Sequence, residues 1–174
     1  ACRPNRSYSV TMANRWSCQA KPAPSDLETR FKNKDATLIS DIALAATNLR
    51  NNFSFASKFC TYISQYLYNG DFCKYDKVVQ EILPYYAYMY IDSNDVECTK
   101  YYRINKKRRK ESIVESEFKN KNNYDGYRKY IDKIIAGIKI QSNIAITYAQ
   151  FDSILWYYFK GRDYRINNAM SCIK

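Results

Sequence analysis

The tightest constraint in this chain lies between Asn51 and Leu83, where two segments with helical apolar spacing follow one another across a turn. Phe55, Phe59, Tyr62, Ile63 and Tyr66 recur at that spacing and predict a buried face, with Lys58, Thr61 and Gln65 on the other side. Asn69-Gly70-Asp71 supplies the turn, because Asn and Gly tolerate positive φ. Asp76 then precedes Val78, Val79, Ile82 and Leu83, so its carboxylate is placed to cap the free N–H groups of a second helix. Four glycines and four prolines in 174 residues suit a helical protein better than a turn-rich β-sandwich. The expectation is an all-α fold.

The flanking segments carry the same pattern. Ser25 or Asp26 is placed to cap a short helix through Phe31. Asp35 is placed as N-cap of a helix from Ala36 to about Leu49, with Leu38, Ile42, Ala45, Ala46 and Leu49 on one face. Asn51-Asn52 ends it, so the helices around Arg50-Asn51-Asn52 read as a helix–hairpin–helix in outline. Such a hairpin can offer backbone N–H groups to a phosphate, and it is equally a common way of joining two packed helices. Pro84 is expected to interrupt the helix after Asp76, with a resumption from Tyr85 to Ile91 and a turn from Asp92 to Glu97. Glu111 to Asn123 is polar with a thin stripe of Ile113, Val114 and Phe118, and reads as a surface helix or an insertion.

From Tyr124, the residues Tyr127, Tyr130, Ile131, Ile134, Ile135 and Ile138 predict an amphipathic helix, after which Lys139 to Ile146 is expected to cross over as a loop. Thr147 and Gln150 predict a capping box, Ile146 and Phe151 a hydrophobic staple, and Gly161 the C′ position of the helix between them. Phe151, Ile154, Leu155 and Tyr158 would line its core face, widened by Trp156 and Phe159. The resulting organisation is a single compact helical domain at 25–162 with a helix-hairpin-helix-like element. An irregular basic arm precedes it at 1–24, and a short C-terminal tail follows at 163–174. Trp16 is the arm's main apolar anchor, and Arg3, Arg6 and Arg15 are either solvated or in contact with phosphate.

Charge narrows the partner. A formal net charge of +11 favours an anionic surface, since lysine and arginine attract phosphates without reading sequence. The run Lys100-Tyr101-Tyr102-Arg103-Ile104-Asn105-Lys106-Lys107-Arg108-Arg109-Lys110 contains no acid. It reads either as a solvated loop or as a nucleic-acid contact in which the tyrosines stack and the cations hold backbone. No stretch approaches the ~20 apolar residues needed to span a bilayer, so no membrane insertion is expected. The chain has no histidine, which removes Ser-His-Asp and Cys-His catalysis. Its six cysteines (Cys2, Cys18, Cys60, Cys73, Cys98 and Cys172) lack C-x-x-C spacing, so neither a metal nor a cofactor is expected. Cys60 is expected as a buried free thiol, and a reducing, intracellular (cytoplasmic) setting fits this cysteine usage.

The segments F-A-S-K-F-C (Phe55–Cys60), Y-D-K-V-V (Tyr75–Val79) and F-D-S-I-L-W-Y-Y-F-K-G (Phe151–Gly161) resemble a group of small bacterial proteins with the 8-oxoguanine DNA glycosylase fold. That fold belongs to the helix-hairpin-helix DNA glycosylase superfamily, and the resemblance covers roughly residues 35–162 with gaps. It implies a DNA partner, with Asp76 at the position of the aspartate that supports catalysis. Ser54 stands at the position of the nucleophile of lysine-dependent members, and Lys58 lies one helical turn later, where it can share a face with that position. Arg50-Asn51-Asn52 replaces the glycine-rich hairpin, and Arg50, Asn51, Asn52 and Ser54 become candidate DNA contacts. Arg103, Lys106, Lys107, Arg108, Arg109 and Lys110 supply the candidate phosphate contacts. Three functions stay open on this basis: a glycosylase-like enzyme, a non-catalytic nucleic-acid-binding module, and a protein-interaction module that has kept only the fold.

Overall fold

Capping chemistry fixes several of the element ends. The computed structural model describes residues 24–45, 51–68, 72–95 and 114–173. Its elements are α1 (Pro24–Lys32), α2 (Thr37–Ala45), α3 (Phe53–Leu67), α4 (Lys77–Tyr90), a π-helical turn (Glu115–Lys119), α5 (Tyr124–Ser142), α6 (Tyr148–Phe159) and α7 (Asp163–Ser171). The expected all-α architecture is therefore observed, and there is no strand among the described residues. Asp76 caps α4, its Oδ1 accepting from the Val79 N–H at 3.0 Å. Thr147 and Gln150 form the expected capping box on α6. Gly161 takes φ +66° just past the end of α6, where a side chain would be strained. The arm up to residue 23, Arg50, the Asn69-Gly70-Asp71 turn and the basic run Lys100–Lys110 lie outside the described residues.

Three expected boundaries are corrected. Helix α4 runs unbroken through Pro84. Proline in a helix interior costs ~3 kcal/mol, but burying Ile82, Leu83, Pro84 and Ala87, at ~1.5–3 kcal/mol for a large apolar side chain, offsets it. Helix α5 continues through Lys139 to Ser142 instead of giving way to a loop, and stops where Asn143 adopts the left-handed conformation at φ 57°. From Asp163 the chain forms α7, whose Ile166 is buried and which packs on α4.

The core lies where α2 packs on α3 and where α4 packs on α5, α6 and α7. Its centre is aromatic. Phe53 meets Tyr75 edge-on at 5.1 Å between ring centroids, and Tyr75 meets Tyr127 at 5.3 Å. Glycine is required at 137, because a Cβ there would lie 1.9 Å from the Tyr90 carbonyl oxygen, where α5 passes the end of α4.

The buried face of α3 is not the one its large residues predicted. Phe53, Ala56, Ser57, Cys60, Thr61 and Ser64 are buried, whereas Phe55, Phe59, Tyr62 and Tyr66 are exposed and Ile63 is half-buried. The reason is the extended segment 72–76, which lies against this face at a distance only small side chains permit. It also engages two of their hydroxyls: the Tyr75 N–H donates to Ser57 Oγ at 3.0 Å, and Thr61 Oγ1 donates to the Phe72 carbonyl at 3.1 Å. On α6, Phe151, Leu155 and Phe159 are buried as expected, but Ile154, Trp156 and Tyr158 face outward.

Candidate functional site

Segment 72–76 carries two of the four charged residues of the site, Lys74 and Asp76, and the core holds it on both sides. Ser57 and Thr61 grip it from α3. From α5, the Tyr124 hydroxyl accepts from the Cys73 N–H at 2.7 Å and donates to the Cys73 carbonyl at 2.9 Å, while the Tyr127 hydroxyl donates to the Lys74 carbonyl. With its carbonyls and the Cys73 and Tyr75 N–H groups satisfied, the segment presents Lys74 and Asp76 two residues apart. The Asp76 carboxylate is close enough to add to the field that favours the charged Lys74.

Lys58 of α3 and Asp76 at the start of α4 are brought together, with Lys58 Nζ 3.9 Å from Asp76 Oδ2. The carboxylate is buried and the amine is partly exposed. At this separation the two attract as charges but do not share a direct hydrogen bond. Asp76 Oδ1 is held by the Val79 N–H, so the cap fixes the orientation of the carboxylate and leaves Oδ2 facing the amine.

A second ion pair adjoins the first. Lys74 Nζ donates to Asp152 Oδ2 at 2.8 Å and lies 5.0 Å from the centre of the Tyr62 ring. Partial burial works against the Lys74 charge, but the Asp152 hydrogen bond and carboxylate hold its ammonium above the ordinary lysine value. The groups behind the site stay neutral: burial pushes the Cys73 thiol up to about 12 and raises the Tyr75 and Tyr127 hydroxyls as well. Charge at the site is therefore carried by an alternating set, Lys58, Asp76, Lys74 and Asp152.

The other sequence candidates fare differently. Ser54 is half-buried in the first turn of α3, one turn before Lys58, and its carbonyl accepts from Ser57 Oγ at 3.1 Å. Asn51 is committed internally: its Nδ2 donates to the Lys119 carbonyl at 2.6 Å and Asn122 Oδ1 at 2.7 Å, and its Oδ1 accepts from the Phe53 N–H. The Asn52 N–H donates to the Ala43 carbonyl at 3.2 Å. The Asn51 side-chain amide and the Asn52 N–H are thus used within the fold. Arg50, Arg103, Lys106, Lys107, Arg108, Arg109 and Lys110 lie outside the described residues.

Lys74 escaped the sequence reading. Its signal was present, since it stands two residues before a candidate carboxylate in a segment bounded by a turn and a helix cap. Tyr62, expected on the buried face of α3, is exposed and flanks the site. Among the described residues no three Cys, Asp or Glu side chains gather in a way that would hold a metal ion, and no helix is long and apolar enough to cross a membrane.

Comparison with protein families, with curated proteins and with solved structures gives no match for this chain.

Proposed function

We propose that this chain is a DNA-binding, DNA glycosylase-like protein that acts on an extruded, damaged or modified base through Asp76, with Lys58 beside it. The observation that supports the reading best is the approach of Lys58 Nζ to within 3.9 Å of Asp76 Oδ2 on consecutive helices of a strongly basic chain. Cleaving the bond between base and sugar builds positive charge on the sugar, and a buried carboxylate of fixed orientation stabilises that charge. A duplex hides the bond, so the nucleotide must leave the stack. The exposed Tyr62 ring offers a flat face next to the charged set. Lys58 serves either as an amine nucleophile or as a cation that positions the phosphate next to the sugar.

The test is base release from a panel of lesion-containing duplexes, with borohydride trapping to detect an amine-linked intermediate. Asp76→Asn is expected to abolish release while salt-dependent duplex binding persists. Full activity in that variant would rule out the catalytic role of Asp76. Trapping that Lys58→Gln eliminates would assign the nucleophile, whereas release without trapping would leave Lys58 as a positioning cation.

A second reading, a nucleic-acid-binding or protein-interaction module without chemistry, draws on the use of Asp76 as an ordinary helix cap. Duplex binding without base release from any lesion would favour the nucleic-acid form of it, and absence of DNA binding would favour the protein form.

A further inference from the structure

The corner where α6 runs into α7 differs from the rest of the described surface. Elsewhere, lysines and arginines mostly face carboxylates: Arg30 pairs with Asp35 and Asp41, Lys119 with Glu115, and Lys129 with Asp125. At this corner Lys160, Arg162 and Arg165 have no carboxylate partner among the described residues. Arg162 Nη1 donates to the Tyr157 and Tyr158 carbonyls at the end of α6, and Arg165 donates to the Tyr158 carbonyl at 3.1 Å and the Tyr164 hydroxyl at 2.9 Å. Lys160 Nζ lies 5.9 Å from the Trp156 ring centre. Asp163 sits in the first turn of α7, where the helix dipole accommodates it.

The same corner exposes flat rings. Trp156 is 48% exposed, Tyr157 75% and Tyr164 60%. The Arg165 guanidinium is fixed over the Tyr158 ring, 4.2 Å from its centre. Apart from Ile154, the exposed apolar residues of this end of α6 are rings and not aliphatic chains. Uncompensated cations beside aromatic faces match a polyanion that carries stackable bases.

We propose that the α6–α7 corner is a single-stranded nucleic-acid platform, distinct from the Lys58–Asp76 pair, that stacks bases on Trp156 and Tyr157 and holds phosphates with Lys160, Arg162 and Arg165. It rests on the nucleic-acid half of the reading above and is independent of that reading's chemistry. Arg162 and Arg165 are anchored by one edge to the end of α6, so their remaining N–H groups are already oriented for phosphate. Bases stack without hydrogen-bond readout, so the platform binds with little sequence preference.

The test uses the full chain carrying Trp16→Phe, which leaves Trp156 as the single indole. Its emission is followed while an oligothymidylate of roughly a dozen nucleotides is added at low salt. The expected result is quenching of Trp156, with binding weakened about tenfold by Tyr157→Ala, the loss of one stacked base. Lys160→Gln should reduce the salt dependence, the slope of log K against log salt, by roughly 0.7. Tyr157 and Lys160 are exposed and have no buried packing to lose, so both variants fold. Single-strand binding unaffected by both substitutions would overturn the platform and leave duplex binding standing. Failure of the unsubstituted chain to bind either single strand or duplex would overturn both. A blue shift on anionic phosphatidylglycerol vesicles, with no response to the oligonucleotide, would assign the corner to a lipid surface instead.

Discussion

Replacing Ser57 with alanine removes the clip that holds segment 72–76 on α3. Ser57 Oγ accepts from the Tyr75 N–H at 3.0 Å, and both residues are fully buried. Without the hydroxyl that N–H has no partner and no water, a loss of ~1–3 kcal/mol for a buried unsatisfied donor. Alanine is the better helix former by up to ~0.7 kcal/mol, which offsets part of the loss. The net expectation is a destabilisation of ~1–2 kcal/mol, or a fall in Tm of roughly 3–6 °C for a chain of this length. Urea unfolding followed by circular dichroism measures it as a shift of midpoint at unchanged slope. Ser153→Ala, which removes an exposed hydroxyl bonded to the Ala149 carbonyl, is the control and should stay within ~0.5 kcal/mol of the parent. If Ser57→Ala matched that control, the hydroxyls of α3 would not be what fixes segment 72–76. The placement of Asp76 would then need another explanation.

Gly137→Ala should cost more than helix propensity returns, because the Tyr90 carbonyl must retreat by about 1 Å to admit the new methyl. Overpacking of ~1–3 kcal/mol against a gain of at most ~1 kcal/mol gives a net loss that thermal unfolding would detect. Asp76→Asn should keep α4 capped and lower stability by less than ~0.5 kcal/mol, whereas Asp76→Ala should cost ~1 kcal/mol, as urea midpoints would show. That contrast separates the capping role of the residue from any effect on base release. Burial holds the Cys60 and Cys73 thiols and the Tyr86 hydroxyl up to about 12, so the folded chain keeps protons that the unfolded chain loses near 9 to 10. Their contribution to stability is present below pH ~9 and lost as pH rises toward ~12. Urea midpoints should therefore fall steadily across that range, and a constant midpoint up to pH ~11 would contradict the burial of these groups.

Local signals set much of this protein. Helical periodicity, the cap at Asp76, the Thr147–Gln150 box and the glycine at 161 each act within a turn of chain, and each is where the sequence places it. The buried side of α3 was decided at longer range. Large aromatics normally mark the core, but here Ser57 and Thr61 are buried because segment 72–76 needs close approach and donors for its backbone, which Phe55 and Phe59 cannot supply. Pro84 stays helical for a similar reason, since packing against α5, α6 and α7 outweighs a local preference. Lys74 joins the site because Asp152, far along the chain, folds back beside it. Sequence determines what each segment prefers alone; satisfaction of buried polar groups and the fit between elements determine which face each segment shows.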